Sequence, residues 1–202
     1  VTDILCVWKA ILQYGRENGV YCPEIGRMRY PKKKKKPILV VPEEARQRLE
    51  QSLLVSRDTV SLGIIVTLFT GVRIGELCGL RWEDVDFKNG IVTIRRTVER
   101  IANLDASGPE KTKVIVSIPK TENSMRSIPL PQFLLEYLRE RKKEDTCYLL
   151  TGTEQYTEPH QFYVRYRNYL TKHAYGEYTF HALRHTFATR CVELGFDIKS
   201  LS

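Results

Sequence analysis

The stretch Phe180-His181-Ala182-Leu183-Arg184-His185-Thr186-Phe187-Ala188-Thr189-Arg190-Cys191 carries the pattern on which the fold turns. Its spacing predicts a helix over about 180–194. His181, Arg184 and His185 then stand at i, i+3 and i+4 and share one face. Leu183, Phe187, Cys191 and Leu194 form a separate apolar stripe that can seat the helix in a core. The polar face is left to line a site. Two imidazoles and a guanidinium suit a phosphate: arginine grips two oxygens with its planar fork, and histidine moves protons near neutral pH. Taken alone, the same spacing also describes an ordinary polar helix surface. A zinc site is a poorer reading, because no third ligand accompanies the two histidines.

Working backward, Thr70-Gly71-Val72-Arg73-Ile74-Gly75-Glu76-Leu77 places Arg73 after a glycine turn, at the start of a short helix near 74–79. Backbone donors at such a position favour an anion. Glu76, three residues on, can hold the Arg73 guanidinium, although a plain i, i+3 ion pair has the same spacing. Further along, Ser117-Ile118-Pro119-Lys120 and Met125-Arg126-Ser127-Ile128-Pro129-Leu130 flank Thr121-Glu122-Asn123-Ser124, which reads as a hairpin loop. Lys120 sits at its mouth and can reach into a neighbouring groove to donate a proton; most hairpin lysines only face solvent.

The rest of the chain supplies a frame. A helix over 3–19 carries Ile4, Trp8, Ile11 and Leu12 at helical spacing, weakened at its end by Gly15 and Gly19. It cannot bury its own apolar face and reads as the last helix of another domain. Residues 26–37 hold two prolines and five lysines, Lys32, Lys33, Lys34, Lys35 and Lys36, with no apolar period: a basic linker, solvated or laid along a phosphate backbone. Helices are expected at 42–55, at 58–69 with Asp58 or Thr59 as cap, and at 131–143 and 158–173. Strands are expected at 90–97, 113–119 and 126–130, with a polar excursion over 99–112. The order predicts a mainly helical α+β fold with a small three-stranded antiparallel sheet.

With 202 residues, 42% of them hydrophobic, the chain suits one medium domain plus a fragment of another. Its net charge of +8 points to an acidic partner, nucleic acid first and an anionic membrane second. Five cysteines (Cys6, Cys22, Cys78, Cys147 and Cys191), none in a CxxC pair, fit reduced thiols in a cytosolic protein. No apolar run reaches membrane-spanning length.

Together and in this order, TGxRxxEL, a lysine hairpin ending in RxIPL, and HxLRHTFAT resemble the tyrosine recombinase family of phage and conjugative-transposon integrases over about residues 41–202. The resemblance implies domains at 1–25 (terminal helix of a core-binding domain), 26–40 (basic linker) and 41–202 (catalytic domain). It implies site-specific DNA cleavage and rejoining through a 3′-phosphotyrosine, with no cofactor and no metal. Arg73, Lys120, His181, Arg184 and His185 match the family's catalytic positions, Glu76 the supporting acid, and Lys32 to Lys36 are expected on DNA. It also implies double-stranded DNA as partner, a homotetramer on DNA for the complete protein, a bacterial cytoplasmic or nucleoid location, and no membrane. One departure stands out. The family's nucleophilic tyrosine follows the HxxRH helix, whereas none of the eleven tyrosines here lies beyond it; Tyr178 is nearest and precedes it. The chain is therefore expected not to cleave alone. A non-catalytic DNA-binding relative, a type IB topoisomerase and a metal-dependent nuclease or phosphatase remain the competing readings.

Overall fold

Asp58 starts the central helix. Its carboxylate accepts from the backbone N–H of Val60 at 2.8 Å and of Ser61 at 2.9 Å, so two of the helix's unpaired donors are satisfied. In the computed structural model, which describes residues 2–23, 39–103, 111–118 and 125–196, this helix is α3 (Thr59–Thr70). It is buried on nearly every side, through Leu62, Ile64, Ile65, Val66 and Leu68. An apolar surface all round is what a core helix needs. It follows α1 (Thr2–Glu17) and α2 (Glu43–Val55) and precedes the short α4 (Ile74–Gly79).

Residues 1–37 and 38–202 form two separate compact units. In the first, α1 presents Ile4, Val7, Trp8, Ile11 and Tyr14, all exposed. In the second, α3 packs against α2, α6 (Pro159–Lys172) and α7 (Phe180–Glu193). Gly63 makes the α6 contact possible: a Cβ there would meet the Phe162 ring at 2.3 Å. The intervening helix is α5 (Gln132–Arg139).

The strands pair differently from the sequence expectation. β1 (Val85–Asp86), β2 (Ile91–Ile94) and β5 (Arg126–Pro129) make a three-stranded antiparallel sheet in the order β1-β2-β5. β3 (Thr97–Ala102) and β4 (Thr112–Ser117) form a separate antiparallel ribbon. The segments 113–119 and 126–130 are thus not each other's partners: the first pairs with β3, the second with β2. The expected strand 90–97 breaks at Arg95 and Arg96, because both guanidiniums turn to the buried carboxylate of Asp84, at 3.5 and 2.8 Å. What reads as a polar excursion from residue 99 is still strand as far as Ala102. Its polarity reflects a two-stranded ribbon with Val98 buried and Glu99 and Arg100 exposed.

α4 lies close against β3. A Cβ on Gly75 would meet the Val98 carbonyl oxygen at 2.7 Å, and one on Gly79 the Arg96 carbonyl oxygen at 3.0 Å. The two glycines, four residues apart, make a bare helix face against β3 at Gly75 and against Arg96, just before the strand, at Gly79. This fixes the height of Arg73, the residue immediately before α4.

α7 seats along most of the expected stripe, which fails only at its end. Phe180, Ala182, Leu183 and Thr186 are buried, Phe187 and Cys191 are half-buried, and Leu194 is exposed. The N-terminal half of the helix docks, whereas its last turn leaves the core. The Thr186 hydroxyl accepts from the Val41 N–H at 2.9 Å and donates to the Ala182 carbonyl at 2.8 Å. α3 ends at Gly71, whose φ of 63° is left-handed and whose N–H donates to the Thr67 carbonyl at 2.8 Å. The Phe187 ring occupies the space that a Gly71 side chain would need, 2.4 Å from an ideal Cβ. Gly71→Ala is expected to cost about 2 kcal/mol or more, from left-handed strain together with overpacking. Urea unfolding measures it, and an unchanged midpoint would contradict this account of the turn.

Candidate functional site

Beyond Gly71 the chain passes through Val72 and places Arg73 ahead of α4, with extended backbone (φ −74°, ψ 155°). Glu76 accepts from the Arg73 backbone N–H at 2.8 Å and from its guanidinium at 2.9 Å. The same carboxylate takes a second arginine. Arg126 Nη1 donates to Oε1 at 3.0 Å and Nη2 to Oε2 at 2.6 Å, the parallel two-bond geometry in which arginine and carboxylate fit best. Burial works to raise the Glu76 carboxyl, but the bonds from Arg126, and then from Arg73, outweigh it and hold the pKa below the usual value. Arg126 arrives from β5, where it stands opposite Ile94 of β2.

Arg184 completes the group from α7. Its guanidinium donates to the Gly71 carbonyl, so the turn that sets Arg73 also sets Arg184. No carboxylate pairs with Arg184 among the described residues. Burial lowers its pKa, as do the nearby charges of Arg73 and Arg126, with Glu76 acting in the opposite sense. Three guanidiniums therefore influence one another around a single carboxylate. Like charges brought together in this way suit an anionic ligand.

The histidines flank it. Thr179 caps α7, its hydroxyl accepting from the Ala182 N–H at 3.3 Å, which leaves His181 in the first turn at the positive end of the helix. The His181 and His185 rings meet edge to face with centroids 4.3 Å apart. Burial first, then His185, Arg184 and Arg73, push the His181 pKa below 6.5. Neutral His181 can accept a proton at pH 7.

Arg73, His181 and Arg184 line one pocket of about 480 Å³. Its walls also include Val72, Ile74, Pro159, His160, Tyr163, Thr179 and Phe180. Cations at one side of a largely apolar cavity suit a ligand with an anionic end and a flat or apolar body. His185 lies one turn along from His181, and Glu76 lies behind Arg73. Lys120 and the run Lys32 to Lys36 fall outside the described residues. Arg126 lies in the RxIPL segment with no role legible from the sequence, and His160, Tyr163 and Thr179 carry no sequence signal for this site. A buried glutamate whose second arginine lies fifty residues away in sequence leaves no local signal.

The chain belongs to the phage integrase family, whose model matches residues 41–202. It is 30% identical to the tyrosine recombinase XerA of Pyrococcus furiosus over 210 residues, covering 98% of this chain and 63% of that protein. It is 33% identical over 150 residues to a tyrosine recombinase XerC-like protein of Caldanaerobacter subterraneus subsp. tengcongensis, covering 66% of this chain and 38% of that one. It therefore spans less than two thirds of either relative. The Tn1549 transposon integrase, solved in complex with transposon right end DNA, superposes with a TM-score of 0.70 at 18% identity, over 97% of this chain and 66% of that one. The mainly helical α+β fold with a small antiparallel sheet is that of tyrosine recombinase catalytic domains.

The His181 environment gives a pH test. The unfolded chain takes up this proton near 6.5, above the folded chain. The group's contribution to stability is therefore complete above 6.5 and declines as pH falls towards the lowered folded value. An NMR titration of the imidazole C–H resonance should place the His181 midpoint below 6.5. A midpoint at or above 6.5 would contradict the environment described.

Proposed function

We propose that residues 41–202 are the phosphodiester-holding part of a tyrosine-type site-specific DNA recombinase. The observation that carries this is Arg184: a half-buried guanidinium with no carboxylate partner among the described residues, facing Arg73 and Arg126 beside two imidazoles. A nuclease or phosphatase reading would need a metal cluster or a differently armed histidine pair. No group of three or more His, Cys, Asp or Glu side chains suited to a metal gathers among the described residues. The relatives' names and the DNA complex of the Tn1549 integrase favour the recombinase reading over a topoisomerase.

In the proposed reaction a tyrosine oxygen attacks the scissile phosphorus as its proton passes towards His181. The phosphorus then carries five oxygens and extra negative charge. Arg73 and Arg184 bind the non-bridging oxygens, where that charge collects. The bond to the 5′-oxygen breaks, and Lys120 supplies the proton that makes it a hydroxyl. A 3′-phosphotyrosine remains and conserves the phosphoester bond, so that a 5′-hydroxyl from a new partner can reverse the step without ATP. His185, packed on His181, supports its ring and the phosphate.

We read none of the eleven tyrosines as the nucleophile, since all precede the HxxRH helix. On this reading the 202-residue chain binds the phosphodiester but does not cleave it alone. The exposed apolar face of α1 supports residues 1–25 as the terminal helix of a core-binding domain. Residues 26–40 are then a linker whose lysines, Lys32 to Lys36, lie along the duplex. The complete protein is proposed to act as a homotetramer on double-stranded DNA in the bacterial cytoplasm or nucleoid, the isolated chain being monomeric. No described helix is long and apolar enough to cross a membrane.

In a chain extended by a tyrosine-bearing segment, Arg73→Ala or Arg184→Ala should slow cleavage of a suicide DNA site about a hundredfold. That corresponds to on the order of 3 kcal/mol at the transition state. Cleavage at the parent rate in either variant would defeat the assignment.

A further inference from the structure

The most exposed member of the arginine cluster is Arg73, with 61% of its side chain accessible, against 27% for Arg126 and 10% for Glu76. A long exposed arginine carries about 2 kcal/mol of rotamer entropy and holds no single pose without a fixed partner. Its partner is Glu76, but a buried carboxylate with one counter-ion would draw that counter-ion down and neutralise it. The geometry here differs. Each Glu76 oxygen accepts twice: Oε1 from Arg73 Nη1 and Arg126 Nη1, and Oε2 from the Arg73 backbone N–H and Arg126 Nη2. Both terminal nitrogens of Arg126 are spent on Glu76, whereas Arg73 commits only Nη1 of its side chain.

We infer that Arg126 is a positioning residue for the phosphate site: by holding Glu76 with both nitrogens it fixes the rest on which Arg73 lies, and by satisfying the Glu76 charge it leaves Arg73 free to bind an anion. This rests on the reading of Arg73 and Arg184 as phosphate ligands. Arg126 itself does not touch the phosphate. β5 is built for the task. Arg126 is its first residue, held opposite the buried Ile94 by the β2 ladder, so its backbone is set by the sheet and its side chain reaches across to α4. The lowered Glu76 pKa agrees with this, since the Arg126 bond is the largest influence opposing burial.

Lysine at this position separates charge from geometry. It keeps the positive charge but cannot present two parallel N–H groups to both oxygens. The test is a titration of the 202-residue chain with inorganic phosphate, followed through the guanidinium Nε–Hε NMR signals of Arg73 and Arg184, with thermal melting in parallel. In the wild type both signals move together. In Arg126→Lys the phosphate affinity falls about tenfold, the loss expected for a misplaced charge-assisted hydrogen bond. Glu76→Gln shows a similar loss, and the double variant loses no more than either single one, because all act through one rest. Melting stays near that of the wild type in at least one of the two single variants.

Wild-type affinity in Arg126→Lys would overturn the proposal, since charge alone would then suffice. So would losses that add fully in the double variant and follow a fall in melting temperature, which would mark a purely structural ion pair. If phosphate moves neither the Arg73 nor the Arg184 signal in the wild type, the phosphate site fails, and the role of Arg126 fails with it. The first two results leave that site standing, so the two failures are distinguishable.

Discussion

The turn at Gly71 is the constraint on which the rest of the second unit depends. Its left-handed backbone ends α3 and sends the chain toward Arg73. Its missing side chain makes room for Phe187, and its carbonyl receives Arg184. One residue thus joins the buried central helix to both site arginines. A larger residue would have to displace α7, and Arg184 would move with it. Core packing and site geometry are set by the same atoms here, so a fault in one is felt in the other.

From that turn the site is assembled by elements far apart in sequence. α4 offers Glu76, and Arg73 stands immediately before the helix, held at a fixed height because Gly75 and Gly79 let Val98 and Arg96 approach the helix directly. β5 offers Arg126, and α7 offers His181, Arg184 and His185. The shared carboxylate of Glu76 holds the Arg73 and Arg126 guanidiniums, and the Gly71 carbonyl holds Arg184 near them. The surplus of positive charge is what an anionic ligand would relieve, and the imidazole of His181 stands next to it.

Much of this was legible in the sequence, for physical reasons. α3 announces itself by a strongly apolar segment behind an aspartate cap, and the HxxRH face follows from helical period alone. Arg73 and Glu76 are i, i+3 neighbours, so their contact is local. Strand partners were not legible: a period of two marks a strand without saying what it pairs with, and β4 and β5 were joined across a short loop when each belongs to a different sheet. The break at Arg95 and Arg96 depends on a buried Asp84 reached only through the fold. The α7 stripe holds at Leu183, Phe187 and Cys191 and fails at Leu194, because an apolar stripe does not reveal where a helix leaves the core. Arg126 stayed hidden for the same reason, its partner lying fifty residues away.

The central claim is that Arg73 and Arg184 together hold a tetrahedral anion. The most direct measurement is a crystal structure of the chain soaked with tungstate, a dense phosphate analogue located by its anomalous signal. The account predicts one strong peak within hydrogen-bond reach of both guanidiniums, with His181 beside it. Tungstate bound elsewhere on this basic surface, with Arg73 and Arg184 unliganded, would contradict it.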